Sequence, residues 1–251
     1  MNQFIWKLPH SMESKRLIEL RAALKKLADQ QKKAGYMRFF KTAMGEYGFG
    51  DKFYGIRVPD QRNILKKYVT LSLEEIDLLL RSEYHEERFI ALQILVHQFQ
   101  KGADNAKCEI YNFYIDHTDC INNWDLVDSS APQIVGAYLF KKPRDLLVAF
   151  ATDKNLWKKR ISILATFYFI RKNDFGTTMQ LSELLLNDDH DLIHKAVGWM
   201  LREVANRNMN IAREFLEKHC KVMPRTMLRY TVEKFPEELR REYMERRKNS
   251  F

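Results

Sequence analysis

Apolar residues recur every three or four positions along nearly the whole chain from Met12 onward. In the first such stretch Leu17, Leu20 and Leu24 fall on one helical face, and lysines and arginines occupy the opposite face. No run of β-branched residues alternates with period two for long, so the pattern predicts no strand. The chain is therefore predicted to be all-α.

Turn residues and helix caps divide this pattern into successive helices. Gly35 is predicted to end the first helix, and the glycine-rich stretch 45–55 is the strongest turn signal in the chain. Pro59 falls in the first turn of a helix, where proline is tolerated. The predicted helices cover residues 12–34, 36–44, a segment beginning at 58, and 72–81, 84–100, 104–116, 130–140, 143–150, 155–171, 177–187, 189–206, 210–221, 224–233 and 236–247.

Three of these helices share a motif, in which a basic residue is followed by two variable residues, a small residue and a large apolar residue. The motif occupies 88–92, 159–163 and 195–199, at offsets of 71 and 36 residues, and the skipped copy falls at 123–127. A repeat of paired helices at about this length is typical of an α-solenoid. The ankyrin and tetratricopeptide signatures are absent, which leaves HEAT-like units. Chance similarity among amphipathic helices is the alternative.

Equivalent positions of successive repeats line the concave wall of a solenoid, which is an extended binding surface. Trp124, Arg160 and Ala196 are separated by 36 residues each, and are therefore candidates for one row on that wall.

Composition favours a single domain over residues 1–251. The chain contains only nine glycines and six prolines, and no Ser/Gly-rich linker interrupts it. Its three cysteines have no paired spacing and are predicted to be thiols in a reducing compartment. The first seven residues lack the apolar core of a secretory signal, and no apolar run reaches the ~18–20 residues that span a bilayer. The protein is predicted to be soluble, cytoplasmic and monomeric, without a membrane partner.

The charge balance points to a polyanionic partner. Forty-two lysines and arginines against 33 aspartates and glutamates give a net charge of +9. Many basic proteins bind no nucleic acid, so the charge by itself leaves the question open.

The segment 121–132 is the most informative for chemistry. Trp124 and Asp128 are four residues apart and share a helical face. A carboxylate within an apolar stripe is costly unless it is paired or lines a cleft. Ser130 is predicted to cap the helix 130–140, which places Asp128 at a junction between helices. From this segment alone, Asp128 is equally a helix cap, the partner of an arginine, or a functional carboxylate.

Other catalytic motifs are missing. His190 and His194 are four apart, but no third ligand follows at the spacing of zinc proteases, so a capping or solvated role is favoured. No Walker loop, dinucleotide-binding glycine turn or serine nucleophile elbow is present. We therefore predict no metal and no small-molecule cofactor.

Several segments, in order, resemble the HEAT-like-repeat alkylpurine DNA glycosylases of bacteria, the AlkD-like DNA alkylation repair family. The resemblance covers roughly residues 36–243, and the Trp-Asp-Leu-Val-Asp and Gly-Trp-Met-Leu-Arg-Glu segments are its most specific parts. The matching segments are 53–59, 85–88 with 91–92, 123–128, 156–160 and 195–203.

The resemblance implies a set of site residues. The family's cleft tryptophan and essential carboxylate match Trp124 and Asp128, and its second tryptophan matches Trp199. Its active-site arginine matches Arg160, although the adjacent Lys158 and Lys159 leave open which basic residue takes that role. The remaining residues expected to contact DNA are Tyr36, Lys158, Lys159, Arg57, Arg202, Arg225 and Arg229.

The resemblance implies excision of N3- and N7-alkylated purines from double-stranded DNA, without turning the lesion into a pocket. Such a base is already cationic and leaves as a neutral group, so no strong general acid is needed. A carboxylate can stabilise the oxocarbenium-like sugar and orient water, which is the role expected of Asp128. Tryptophan rings attract cations, and Arg160 is expected to hold a phosphate by paired hydrogen bonds.

Two alternatives stay open at this point. Both tryptophans could be core residues, which without the resemblance is the better interpretation of Trp199. The whole chain could instead be a non-catalytic HEAT-repeat protein that binds DNA structures or a protein partner.

We expect binding to duplex DNA to be electrostatic and largely independent of base sequence. Because neutralising phosphates releases counterions, affinity should fall steeply between low and physiological salt. Fluorescence anisotropy with an unmodified duplex over a salt series measures this slope. An affinity that stayed flat over the series would contradict the prediction.

Overall fold

The computed structural model describes residues 13–248, so the expectation about the first seven residues lies outside the described part. The chain divides into two compact units at the Ile94–Leu95 bond, which lies within a single helix. A single domain over the whole chain stays a prediction. The helices are α1 (Lys15–Lys26), α2 (Gln30–Phe39), α3 (Val58–Leu65), α4 (Leu73–Leu80), α5 (His85–Lys101), α6 (Asp104–Asp116), α7 (Trp124–Asp128), α8 (Ala137–Leu139), α9 (Asp145–Ala151), α10 (Leu156–Ile170), α11 (Gly176–Leu184), α12 (Asp191–Ala205), α13 (Met209–His219), α14 (Arg225–Thr231) and α15 (Glu237–Lys248), with a 3₁₀ turn at Thr118–Cys120 and a π-helical turn at Pro132–Gly136.

The all-α prediction is confirmed. Among residues 13–248 the only extended pairing is one isolated bridge between Lys52 and Tyr84. Three glycines of the predicted turn region, Gly45, Gly50 and Gly55, have positive φ. Within the described chain no helix combines the length and the apolar character needed to cross a membrane.

The first unit is organised around a buried carboxylate. Glu86, at the start of α5, accepts the backbone N–H groups of Tyr54, Gly55 and Ile56 at 2.8–3.2 Å. Gly55 has φ +86°, and a Cβ on it would lie 2.3 Å from the carbonyl oxygen of Asp29. The turn therefore requires glycine both for its backbone angle and for its close approach to the start of α2.

The second unit consists of stacked helix pairs. α9 packs on α10 and α11 on α12, and α10, α12 and α14 pack side by side in one layer. α9 and α11 contact each other in the second layer. This two-layer arrangement of successive pairs agrees with the repeat predicted from the sequence.

The break between the first two helices is not at Gly35. α2 runs through Gly35, and the chain breaks instead at Leu27–Asp29. The Asp29 carboxylate accepts the N–H groups of Gln31 and Lys32 at 3.0 and 3.1 Å, so it caps the new helix. A side-chain cap satisfies backbone donors that would otherwise lack partners, whereas a glycine within a helix costs only about 1 kcal/mol.

The predicted helix 130–140 is also different. Ser130 does not cap it, because its hydroxyl donates to the Leu126 carbonyl at 2.5 Å and lies 2.9 Å from the Tyr114 hydroxyl. Pro132, which has no N–H, begins the π-helical turn, in which Gly136 N–H donates to the Ala131 carbonyl.

Gly136 lets this π-helical turn approach α10 closely. A Cβ at Gly136 would lie 2.2 Å from the Ala165 carbonyl oxygen and 2.9 Å from the Tyr168 Cβ. Gly198 on α12 makes the equivalent contact with Met227 and Tyr230 of the α14 layer. In both places the small residue permits backbone contact between neighbouring helices.

We expect Gly136→Ala to lower the free energy of unfolding by about 1–3 kcal/mol, since the added methyl group forces the two backbones apart. Urea unfolding measured by circular dichroism tests this. Gly176→Ala is the matched control, because a Cβ at Gly176 meets nothing within 4 Å. Equal effects of the two substitutions would contradict the close-packing explanation.

Candidate functional site

An ion pair between Asp128 and Arg160 lies at the centre of the site. Asp128 is the last residue of α7, and Arg160 lies in the second turn of α10. Arg160 Nε donates to Asp128 Oδ1 and Nη2 donates to Oδ2, both at 2.8 Å. Two parallel hydrogen bonds of this kind fix the orientation of the carboxylate as well as its charge.

Arg160 also binds a third element. Its Nη1 donates to the backbone carbonyl of Leu192 on α12 at 2.6 Å, and its side chain is only 5% exposed. One guanidinium therefore joins α7, α10 and α12. The resemblance implied that Arg160 holds a phosphate by paired hydrogen bonds, whereas in this structure that edge of the guanidinium is bonded to Asp128.

The Asp128 carboxyl group lies in a largely dehydrated setting. Its side chain is 17% exposed, so it is mostly buried but still partly accessible to solvent. Burial raises the pKa of Asp128 above its ordinary value, and the Arg160 guanidinium opposes this rise by favouring the charged form. The pair thus presents a poorly hydrated carboxylate whose position is fixed.

The two tryptophans lie on different helices of the second unit. Trp124 begins α7, one turn before Asp128, and its side chain is half-buried. Trp199, on α12, is also half-buried; its ring lies 5.8 Å from that of Phe167, and its Nε1–H donates to Glu203 at 3.0 Å. Neither ring is fully enclosed, so neither is an ordinary core residue.

The predicted row of Trp124, Arg160 and Ala196 does not line an exposed wall, because the Arg160 side chain is only 5% exposed. Ala196 is fully buried within the packing of α12. The half-exposed aromatic residue of this helix is Trp199, less than one turn later. A period of 36 residues identifies the helix, but it does not say which face of the helix is exposed. An error of one position rotates the side chain by about 100° around the helix axis.

The predicted DNA-contacting residues differ in how many partners they already have. Lys158 lies 3.6 Å from Asp153, and Lys159 lies 2.6 Å from Asp188. Arg202 is paired with Glu233.

Of the other four residues, two lie in the second unit and two in the first. Arg225 and Arg229 are exposed and have no ion pair within residues 13–248. In the first unit, Arg57 is exposed and pairs with Asp60 at 3.0 Å. Tyr36 is half-buried, with its ring edge-on to a neighbouring phenylalanine at 6.2 Å, and burial raises its pKa.

Two site groups escaped the sequence reasoning. Glu203 lies four residues after Trp199, a spacing that could have suggested the hydrogen bond between them. The sequence could not have indicated the Leu192 carbonyl, because every residue type has a backbone carbonyl.

Of the two histidines, His190 takes the capping role and His194 contacts the Asp188 carbonyl. His190 is the N-cap of α12 and its Nδ1 accepts the N–H of Leu192 at 3.1 Å, which confirms the capping role. Burial lowers the pKa of His190. Across the described residues there is no group of three or more His, Cys, Asp or Glu side chains that could hold a metal ion. The three cysteines are thiols, as predicted.

Comparisons with known proteins bear on the family and the fold of this chain. Residues 20–235 match the family described as DNA alkylation repair enzyme. The solved structure "Predicted DNA alkylation repair enzyme from Enterococcus faecalis" superposes with a TM-score of 0.66 at 15% identity, covering 83% of this chain and 97% of the other. No curated protein sequence matches the chain significantly. The structural likeness shows the fold, and the predicted all-α class of HEAT-like helical repeats is confirmed.

We expect the Asp128–Arg160 pair to be strongly coupled in stability. Arg160→Gln leaves a poorly hydrated carboxylate without its partner, which should cost about 3–5 kcal/mol. The double variant Asp128→Asn/Arg160→Gln should cost less than the sum of the two single changes by at least ~1 kcal/mol. Urea unfolding of the four proteins gives this coupling energy.

Lys195→Gln is the control, since it removes an exposed pair with Asp191 of the i,i+4 type and should cost less than ~0.5 kcal/mol. Strictly additive effects of Asp128→Asn and Arg160→Gln would mean that the paired geometry contributes nothing.

Proposed function

Because the chain belongs to the DNA alkylation repair enzyme family, we propose that it hydrolyses the N-glycosidic bond of cationic N3- and N7-alkylated purines in double-stranded DNA. The observation that carries the proposal is the Asp128 carboxylate, held at a fixed orientation by Arg160 and still partly exposed, one turn from Trp124. The proposal assigns no cofactor to the reaction.

The chemistry asks little of the leaving group. An N3- or N7-alkylated purine carries a positive charge, so when the bond from C1′ breaks, its electron pair leaves with the base and the base becomes neutral. The sugar becomes oxocarbenium-like, and water adds to C1′ and loses a proton. What the protein must supply is negative charge near C1′ and a position for that water.

Asp128 meets both needs. A carboxylate that burial has partly stripped of water interacts more strongly with a developing cation than a solvated one does. Its partial exposure leaves room for a water molecule, which would donate a hydrogen bond to a carboxylate oxygen and be oriented by it. The charge is preformed, so no rearrangement is needed as the sugar cation develops.

Arg160 is a positioning residue in this proposal. Its paired hydrogen bonds favour the ionised form of Asp128 against the effect of burial, and its bond to the Leu192 carbonyl fixes the guanidinium in turn. In this proposal other basic side chains, rather than Arg160, contact the phosphates. Arg225 and Arg229 are the best placed energetically because neither has to give up a carboxylate partner.

The tryptophans favour a charged substrate. An indole face attracts a cation by about 0.5–2 kcal/mol, depending on how dry the site is. The hydrogen bond from Trp199 to the carboxylate of Glu203 fixes the indole and places negative charge at its edge. Both effects favour a cationic purine over the neutral purines that make up the rest of the duplex.

A second candidate function is a DNA-binding protein without catalysis. The Asp128–Arg160 pair favours it to the extent that a buried pair joining three helices is also a structural device. The two candidates differ in what neutralising Asp128 does to base release from correctly folded protein.

We expect Asp128→Asn to lower the rate of 7-methylguanine release by about a hundredfold or more, because electrostatic stabilisation of this kind is typically worth ~3–4 kcal/mol. Release is measured under single-turnover conditions, at a temperature where thermal melts show each protein to be folded. DNA binding should survive or tighten, since an anion that repels phosphates has been removed.

Asp125→Asn is the matched control: it removes a carboxylate from the same helix, where Asp125 accepts the N–H of Leu126. It should release the base at close to the unmodified rate. Near-normal release by folded Asp128→Asn would remove Asp128 from the mechanism and favour the non-catalytic candidate.

A further inference from the structure

The second unit contains a cavity that the proposed reaction does not use. It has a volume of 590 Å³, within the range of small-ligand sites. Its walls include the aromatic rings of Tyr138, Phe167 and Tyr168. We refer to it as the aromatic cavity.

The aromatic cavity is also positively charged. Lys107, Lys142 and Arg171 line it, and the only acidic lining residue, Asp104, has a fully exposed side chain. Lys142 Nζ lies 3.3 Å from the centre of the Tyr138 ring. A flat ligand that carries negative charge matches both the rings and the cations.

The aromatic cavity lies beside the candidate site, on the same face of α10. Arg160, Phe167 and Arg171 are separated by seven and four residues, which places them in one row along the helix. Phe167 is about 10 Å further along the helix axis than Arg160. The Phe167 ring also contacts Trp199, at 5.8 Å between centroids. A nucleic acid at Asp128 and Trp199 therefore reaches the cavity within a few nucleotides.

We propose that the aromatic cavity binds one unpaired nucleotide of a DNA strand. The base stacks against the rings of Phe167 and Tyr168, and a phosphate contacts Lys142 and Arg171. Stacking on aromatic side chains with nearby cations is the general mode of single-strand binding.

A paired base cannot enter the cavity, because its rings are stacked within the duplex. DNA with an unpaired nucleotide next to a duplex, as at an overhang or a flap, should therefore bind more tightly than blunt DNA. This inference rests on the DNA-binding part of the proposed function and is independent of base excision.

The experiment compares three unmethylated DNAs by fluorescence anisotropy at constant salt. They are a blunt duplex, the same duplex with a short single-stranded tail, and a blunt duplex lengthened to carry the same number of additional phosphates. Stacking of one base predicts a gain of about fivefold or more from the tail over the lengthened duplex. Tails at the 5′ and 3′ ends are tested separately, and a gain from either one meets the prediction.

Arg171→Ala and Lys142→Ala should abolish this gain, and Lys141→Ala should keep it. Lys141 is the matched control because it is adjacent to Lys142, is also exposed and lies outside the cavity lining. Asp128→Asn should also keep the gain, so loss of base excision and loss of the tail effect can be told apart.

No tail effect in the unmodified protein, or an undiminished effect in Arg171→Ala and Lys142→Ala, would overturn the proposal. Binding of free deoxyadenosine monophosphate without any tail effect would overturn it too, since the ligand would then be a free nucleotide rather than part of a strand. Thermal melts confirm that each variant is folded.

Discussion

The second unit of this protein depends on one guanidinium group. Arg160 joins the end of α7, its own helix α10 and the backbone of α12 through three hydrogen bonds of 2.6–2.8 Å. The Arg160 side chain is only 5% exposed. A charge buried to this extent is tolerated only when its hydrogen-bond donors have partners. The orientation of Asp128 follows from this requirement, so packing and the proposed chemistry share one interaction.

Burying the Asp128 carboxylate costs folding free energy, but it also suits the carboxylate to its proposed role. Burial raises the pKa of Asp128, and the guanidinium opposes the rise. A fully solvated aspartate would be easier to accommodate but would interact weakly with a developing cation, because water screens its charge. The proposed catalysis needs the carboxylate to be poorly hydrated, charged and partly accessible; burial removes water, and a partner fixed by the α12 backbone favours the charge.

Close backbone packing brings the rest of this face together. Gly136 allows the π-helical turn after α7 to contact α10, and Phe167 on α10 contacts Trp199 on α12. The candidate site and the aromatic cavity consequently lie along one row of α10. If both bind DNA, the protein would recognise a lesion and an unpaired nucleotide within a single stretch of strand.

The sequence by itself determined the helical class, most helix positions, the repeat and the identity of Trp124, Asp128, Arg160 and Trp199 as residues of interest. Apolar spacing and motif order are local properties, so they survive in a one-dimensional pattern. The sequence placed the first helix break at Gly35 and an N-cap at Ser130, because caps depend on which side chain actually reaches a backbone donor. Only the tertiary structure decided that Ala196 is buried and that Arg160 pairs with Asp128. Helix rotation and hydrogen-bond partners, including a backbone carbonyl such as that of Leu192, are set by contacts between residues far apart in the chain.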